Sequence, residues 1–151
     1  TGSHENEPYE GGKVRRAATP PACAGTRPDR RSRMSDPNAF ASTVLMVTRD
    51  GFGSAEPALQ HALMGKYLGL LLAGGLVPRA MCFVTEGVHL ACEGSPVLDE
   101  LNRLAGRGCR LLVCTTCLEF YGLKEKVRAG TACGMPDILN AQLEATKVIS
   151  V

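Results

Sequence analysis

The stretch Arg110-Leu-Leu-Val-Cys-Thr-Thr-Cys-Leu-Glu-Phe-Tyr-Gly122 decides the fold, because an apolar run leads directly into a helix-forming segment. The apolar part, Cys109–Val113, predicts a buried strand. Thr116 and Glu119 have the T-x-x-E spacing of a capping box, which predicts Thr116 as the N-cap and Cys117 as the first helical residue. A strand that passes straight into a helix is typical of a parallel sheet covered by helices.

The same alternation of strand, turn and helix continues through the chain from Thr43 onward. Continuous apolar runs predict strands that are buried on both faces. The predicted strands are Val44–Val47, Ala80–Val84, Cys109–Val113, Gly130–Cys133 and Lys147–Val151. The predicted helices run from Ser54 as N-cap to Ala73, from Pro96 behind the N-cap Ser95, from Cys117, and from Pro136. Glu86–Gly94 is predicted as a loop, and the whole pattern indicates an α/β domain with a parallel sheet.

The composition is that of an ordinary globular protein. The chain has 151 residues, 44% of them hydrophobic, which fits one folded domain. Seven cysteines would suit a secreted disulfide framework, but a domain of this size needs no such bridges, and no signal segment opens the chain. We therefore expect reduced thiols and a cytoplasmic location. The longest apolar stretch, residues 67–77, is too short to span a membrane and contains three glycines, so no membrane association is expected.

The charge distribution argues against a nucleic-acid partner. The first 42 residues hold seven of the 17 basic and five of the 15 acidic residues, and the ten of each sign that remain cancel. Trp is absent and aromatic residues make up 5% of the chain. Proteins that bind nucleic acids usually combine a basic face with stacking aromatic side chains, and this chain has neither.

The first 42 residues are rich in Gly, Pro, Arg and Ser and lack apolar periodicity, which predicts a disordered tail. Met34, followed by Ser-Asp-Pro, resembles a natural start. Residues 1–33 are therefore interpreted as an expression tag or an upstream extension. Residues 43–151 are predicted to form the folded domain.

Cys114 and Cys117 form a C-x-x-C pair, which fits three chemistries: a dithiol–disulfide couple, half of a zinc site, or a sulfur-carrying thiol with a resolving neighbour. At a strand-to-helix junction both sulfurs would face backbone N–H groups and the positive helix end, which favours reactive thiols. A zinc site needs two further ligands, and no other cysteine pair has this spacing. We therefore predict no metal ion and no cofactor. A purely structural role for the thiols stays open.

Further candidates follow the first two predicted strands, because the carboxyl ends of parallel strands share one edge of the sheet. His89 is a candidate base for a thiol, and Cys92 is a candidate contact in the same pocket. Gly51, Gly53 and Ser54 are candidates for binding an anion through backbone N–H groups. Their loop lacks the P-loop lysine and the dinucleotide fingerprint, which argues against a nucleotide.

The remaining cysteines of the predicted domain have weaker signals. Cys82 and Cys109 lie within or beside predicted strands, where a thiol usually acts as a small apolar side chain. Cys133 comes at a strand end just before a helix and is a secondary candidate for thiol chemistry.

Four motifs stand in order along residues 44–151, the third being the most specific: Asp50-Gly-Phe-Gly-Ser, Glu86-Gly-Val-His-Leu with Glu93-Gly-Ser, Val113-Cys-Thr-Thr-Cys-Leu-Glu-Phe-Tyr-Gly-Leu123, and Gly134-Met-Pro-Asp-Ile138. With these motifs the segment resembles the DsrE-like domains, and most closely the C-terminal domain of YedF-type proteins, which are linked by name to selenium metabolism. The resemblance covers about seven-tenths of the chain. YedF-type proteins usually carry a small sulfur-carrier-like domain ahead of this one, and 42 polar residues are too few to form it.

The resemblance implies a three-layer α/β/α fold with a mostly parallel sheet, assembly into homo-oligomers, and a sulfur relay. The strand-end cysteine, Cys114, would carry the persulfide, and Cys117 would be the resolving thiol. The sulfur donor and acceptor would be separate proteins, which makes the chain a possible sulfurtransferase. Two alternatives remain, a non-catalytic oligomeric module that binds a small ligand or a partner, and a general dithiol oxidoreductase.

Overall fold

Five parallel strands form one sheet in the order β4-β3-β2-β1-β5. The structure is a computed structural model that describes residues 40–151. The strands are β1 (Thr43–Val47), β2 (Ala80–Phe83), β3 (Arg110–Cys114), β4 (Thr131–Cys133) and β5 (Lys147–Ser150). The helices are α1 (Pro57–Ala73), α2 (Leu98–Gly106), α3 (Thr115–Phe120) and α4 (Met135–Leu143), with short 3-10 helices at Thr85–Ala91 and Lys124–Lys126.

Helices cover both faces of the sheet. The chain steps from β1 to β4 in one direction, and right-handed crossovers place the connecting helices on one face. The return from β4 to β5 runs the opposite way across the sheet, which places α4 on the other face. There Gln142 of α4 contacts the Met46 sulfur of β1, 3.1 Å from it. This arrangement confirms the predicted α/β fold with three layers.

The core lies around the three central strands. Every residue of β2 is buried, and so are most of β1 and β3, as the continuous apolar runs predicted. The edge strands β4 and β5 are mostly exposed. The third strand begins at Arg110 and extends to Cys114, so Cys114 belongs to the sheet itself.

The helix starts differ from those predicted. Helix α1 begins at Pro57 with Glu56 as N-cap, so Ser54 does not cap it. Helix α2 begins at Leu98, although the Val97 N–H still donates to Ser95 Oγ at 3.4 Å. The segment predicted as the loop 86–94 is largely the 3-10 helix 85–91. The serine and proline residues thus predicted each helix start to within a few residues but did not identify the first helical residue.

The predicted capping box of the C-x-x-C helix does not form. Cys114 is the N-cap of α3, and Thr116 lies within the helix. The Thr115 hydroxyl donates across to the Cys133 carbonyl at 2.8 Å. Glu119 pairs instead with Lys124, with 2.6 Å between its Oε1 and the lysine Nζ. Contacts outside the helix have therefore replaced the local cap.

The predicted tail and its tag or extension, residues 1–33, lie outside the described residues, as do residues 34–39. Phe40 is described, and it packs against the core while its carbonyl accepts a hydrogen bond from Thr43 N–H at 2.9 Å. Phe40 therefore packs with the folded domain just ahead of β1. Within residues 40–151, no helix combines the length and apolar character that crossing a membrane requires.

Candidate functional site

The candidate site lies where β2 and β3 end side by side. These strands pair in parallel, so Thr85, just beyond β2, comes beside the start of α3, where Cys114 and Cys117 lie. Cys114 is completely buried, with 0% of its surface exposed. Cys117 is partly exposed, because the first turn of α3 carries it out of the sheet. The C-x-x-C pair thus combines one inaccessible thiol with one accessible thiol.

The two thiols are neighbours. The Cys114 side chain lies close enough to Cys117 to raise the pKa of the Cys117 thiol. The Cys117 sulfur also accepts a hydrogen bond from the Thr85 backbone N–H at 3.1 Å. Neighbouring thiols are the arrangement from which one sulfur can attack a group bonded to the other.

The pKa of Cys117 moves in the direction opposite to that expected for an activated thiol. Burial raises this pKa, the Thr85 N–H partly offsets the rise, and the neighbouring Cys114 adds to it. Helix α3 has only six residues. The predicted activation by the helix end therefore does not outweigh desolvation, and Cys117 is mostly protonated at neutral pH.

Thr85 is a site residue that the sequence analysis missed. It is the only non-glycine residue with a positive φ, 50°, among residues 40–151. Its hydroxyl contacts the Thr48 carbonyl and lies 2.7 Å from the Val84 carbonyl. These contacts hold a conformation that is unfavourable for a β-branched residue, and that conformation aims the Thr85 N–H at Cys117. A threonine after a strand is too common a pattern to have revealed this.

Cys117 opens into a cavity of about 270 Å³ with aromatic walls. Its lining residues are Thr85, Thr116, Cys117, Phe120 and Tyr121. Phe120 is 83% exposed and packs edge to face on Tyr121, with 5.1 Å between the ring centroids. Phe120 therefore forms an exposed aromatic wall beside the accessible thiol. Phe120 and Tyr121 could have been found, since they follow the C-x-x-C pair directly in sequence.

A second cavity, of about 320 Å³, shares two of these walls. Thr85 and Tyr121 line it together with Thr48, Arg49 and Glu86. Arg49 and Glu86 give this cavity a charged side chain of each sign, in contrast to the aromatic lining of the Cys117 cavity.

His89 lies next to this region but does not touch the thiols. Its ring packs edge to face against Tyr121, with 4.7 Å between the centroids. It lines a separate cavity of about 180 Å³, together with Asp50, His61 and Glu93 among others. In the part of the chain that is described, no hydrogen bond joins His89 to Cys114 or Cys117. Any effect of His89 on the thiols would pass through Tyr121.

Cys92 lies in the core, away from the Cys117 cavity. It is 1% exposed and forms an isolated antiparallel bridge with Val127. Burial raises the pKa of its thiol, and Arg128 partly offsets the rise. The structure therefore does not bring Cys92 together with the C-x-x-C pair.

The glycine loop, residues 50–54, packs against the first turn of α1. A Cβ on Gly51, whose φ is 138°, would lie 2.4 Å from the Gln60 Cβ. The Phe52 N–H donates to the Gln60 carbonyl at 3.1 Å, and the Gln60 side chain donates to the Gly53 carbonyl at 3.1 Å. Packing thus accounts for Gly51, while Gly53 and the exposed Ser54 face solvent. Across residues 40–151, no group of three or more His, Cys, Asp or Glu side chains is arranged to hold a metal ion.

Comparison with known proteins finds similar folds but no matching sequence. No protein-family model matches the chain, and no curated protein sequence matches it. The structure is similar to the YchN protein of E. coli, at 15% identity and a TM-score of 0.54 over 73% of this chain and 99% of YchN. It is also similar to MTH1491 of Methanobacterium thermoautotrophicum, a protein of unknown function, at 19% identity and a TM-score of 0.55 over 72% and 97% of the two chains. The chain therefore has a DsrE-like fold of the YchN type.

Proposed function

We propose that this protein carries sulfane sulfur on the Cys114–Cys117 pair. The proposal is supported by the pairing of one buried thiol with one accessible neighbour, whose sulfur accepts a hydrogen bond from a backbone N–H. A carrier needs one thiol that a donor can reach and a second place where the sulfur is shielded. The DsrE-like fold is consistent with this function but does not establish it.

The accessible thiol should react first. Cys117 as thiolate attacks the outer sulfur of a donor persulfide, R–S–SH, which gives Cys117–S–SH and releases R–S⁻. The Cys114 thiolate then attacks that outer sulfur, which gives Cys114–S–SH and regenerates the Cys117 thiolate. Each step exchanges one S–S bond for another, so no oxidant or reductant is consumed. The persulfide ends on Cys114, where burial shields it from solvent.

This order refines the roles expected from the sequence. Cys114 remains the carrier, as the family resemblance implied, but its complete burial argues against direct loading by a donor. Cys117 then has two roles. It receives the sulfur from the donor, and it is also the resolving thiol of the pair. The Thr85 N–H supports this role because it stabilises negative charge on the Cys117 sulfur each time that sulfur is a thiolate.

Several narrower expectations belong to the same proposal. We propose that the chain is related to YedF-type domains through the four sequence motifs, that its donor and acceptor are separate proteins, and that it acts in the reducing cytoplasm as a homo-oligomer. With such partners a sulfur carrier functions as a sulfurtransferase. His89 acts at most indirectly, by holding Tyr121 against the Cys117 cavity.

The test is sulfur loading measured by intact-protein mass spectrometry. The chain is incubated with a low-molecular-weight persulfide, and the parent should gain about 32 mass units that a reductant removes. The double variant Cys114→Ala/Cys117→Ser should gain nothing, whereas the control Cys82→Ala should load like the parent. Equal loading of the double variant and the parent would overturn the proposal.

The proximity of the two thiols also favours a second function, dithiol–disulfide exchange. The same experiment separates the two functions. An oxidoreductase would lose about two mass units as Cys114 and Cys117 form a disulfide, with no added sulfur retained.

A further inference from the structure

A third thiol lies beside the carrier. Cys133 ends β4, and it is the direct register partner of Cys114 at the end of β3. Neighbouring strands are about 4.8 Å apart, and paired residues in parallel strands point to the same face of the sheet. This spacing falls within the range of about 4.4–6.8 Å between Cα atoms over which two cysteines can react with each other.

A hydrogen bond fixes these two strand ends together. The Thr115 hydroxyl, on the residue that follows Cys114, donates to the Cys133 carbonyl at 2.8 Å. Both cysteines also lie at strand-to-helix junctions, since Cys114 is the N-cap of α3 and Cys133 precedes Gly134, the N-cap of α4. The pairing is therefore part of the sheet edge and does not depend on mobile side chains far from the backbone.

Cys133 faces the side of the sheet that α4 covers. Met46, which Gln142 of α4 contacts, is in register with Cys82, and Cys82 is in register with Leu112. Residues two apart on a strand share a face, so Cys114 points to the same side as Leu112, and Cys133 does too. Cys133 is partly exposed there. The Cys117 cavity, in contrast, is bounded by Thr85 and the aromatic residues of the α3 end.

We propose that Cys133 takes the sulfur from Cys114 and presents it on the α4 side of the sheet. This inference rests on the proposed function and extends it by one step. The Cys133 thiolate attacks the outer sulfur of Cys114–S–SH, which gives Cys133–S–SH and regenerates the Cys114 thiolate. One S–S bond forms as another breaks, so the step needs no further reactant. Sulfur is received on one side of the strand ends and delivered on another.

The surroundings of Cys133 suit a reversible transfer. Burial is the largest cause that raises the pKa of its thiol, with Asp137 and Cys114 adding to the rise and Arg110 opposing it. The transfer exchanges one persulfide S–S bond for another of the same kind, so its direction is set by the acceptor that removes the sulfur.

Site-resolved mass spectrometry tests the inference. The full chain is loaded with a low-molecular-weight persulfide, its thiols and persulfides are blocked with iodoacetamide, and the peptides are mapped. In the parent the Cys133 peptide should carry added sulfur. In Cys114→Ala the label at Cys133 should fall by about tenfold while Cys117 stays loaded, and in Cys133→Ser the sulfur should remain on Cys114. Alanine is chosen at position 114 because a buried serine hydroxyl would lack a good partner.

The outcomes separate this inference from the proposal on which it rests. Equal labelling of Cys133 in the parent and in Cys114→Ala would show loading from solvent and overturn the inference. Label on Cys114 and Cys117 but never on Cys133 would overturn it as well, while the carrier function stands. If no cysteine takes up sulfur, the carrier function and this extension both fail. Cys82→Ala serves as the matched control, because Cys82 is buried on the same side and should change none of these labels.

Discussion

Thr85 sets the chemistry of the accessible thiol through its backbone. Its N–H reaches the Cys117 sulfur only because the residue adopts a φ of 50°, and its hydroxyl contacts hold it there. No sequence rule predicts this conformation for threonine. Backbone strain of this kind is commonly found at functional sites.

Removing the Thr85 hydroxyl should therefore weaken the hydrogen bond to Cys117. In Thr85→Ala we expect the pKa of Cys117 to rise further, because the thiolate loses its N–H donor. The pH dependence of iodoacetamide alkylation at Cys117 measures this. Thr85→Ser keeps the hydroxyl and should restore the parent profile. An unchanged profile in Thr85→Ala would show that the hydroxyl does not position the amide.

Among the secondary-structure elements, the contact between the glycine loop and α1 offers a matched pair of substitutions. Gly51→Ala should destabilise the fold by about 2–4 kcal/mol, because its Cβ would clash with the Gln60 Cβ at 2.4 Å. Gly53→Ala, with φ of 76° and open space around it, should cost only about 1 kcal/mol. Urea denaturation measures both free energies of unfolding. Equal losses would show that the loop does not pack on α1 as described.

The buried thiols of the sheet make stability depend on alkaline pH. Burial raises the pKa of Cys82 from its ordinary 9.0 to about 11, and that of Cys109 to about 12. Above pH 9 the unfolded chain loses these protons while the folded chain keeps them, so stability falls as pH rises toward 11. The loss approaches about 1.4 kcal/mol per pH unit for each thiol.

Cys82→Ala removes one of these two groups. Urea denaturation between pH 9 and 10.5 should give a shallower loss of stability in this variant than in the parent, with a difference in slope of about 1 kcal/mol per pH unit. The variant should also be less stable by about 1 kcal/mol at pH 7, through lost packing. Identical slopes would show that Cys82 titrates alike in the folded and unfolded chains.

The strands were predictable from sequence, but the side-chain contacts at the strand-to-helix junctions were not. β2 is buried at all of its residues, so its apolar run carried a strong signal. The capping box failed because Thr115 binds the Cys133 carbonyl and Glu119 pairs with Lys124, contacts that exist only in the assembled fold. The site shows the same division. The C-x-x-C pair was visible, but the register that sets Cys133 beside Cys114 depends on pairing between strands.

At the scale of the whole molecule, exposed leucines on α1 support the expected self-association. Leu59, Leu63 and Leu70 are exposed on one helix. Apolar side chains repeated along one helix face are typical of a surface that another copy covers. We therefore expect light scattering to report at least a dimer at tens of micromolar.

Charge on that face should disrupt the assembly. The double variant Leu59→Glu/Leu70→Glu should shift the protein toward the monomer, because burying the carboxylates would cost several kcal/mol, on the order of the contact itself. Leu143→Glu, on the exposed end of α4, is the control and should leave the mass unchanged. A monomeric parent would exclude self-association, and dissociation by the control alone would move the interface to α4.

The rates at which cysteine variants take up sulfur test the proposed transfer from Cys117 to Cys114, because these rates depend on which thiol a donor can reach. Intact mass is followed over time after addition of a low-molecular-weight persulfide to the parent, Cys117→Ser and Cys114→Ala. We predict that Cys117→Ser loads at least about tenfold more slowly than the parent, since Cys114 is completely buried. Cys114→Ala should load at the parent's rate but lose its sulfur faster to a reductant, because the persulfide then stays on the accessible thiol. Rapid loading of Cys117→Ser together with no loading of Cys114→Ala would contradict this order of transfer and show that the donor reacts with Cys114 directly.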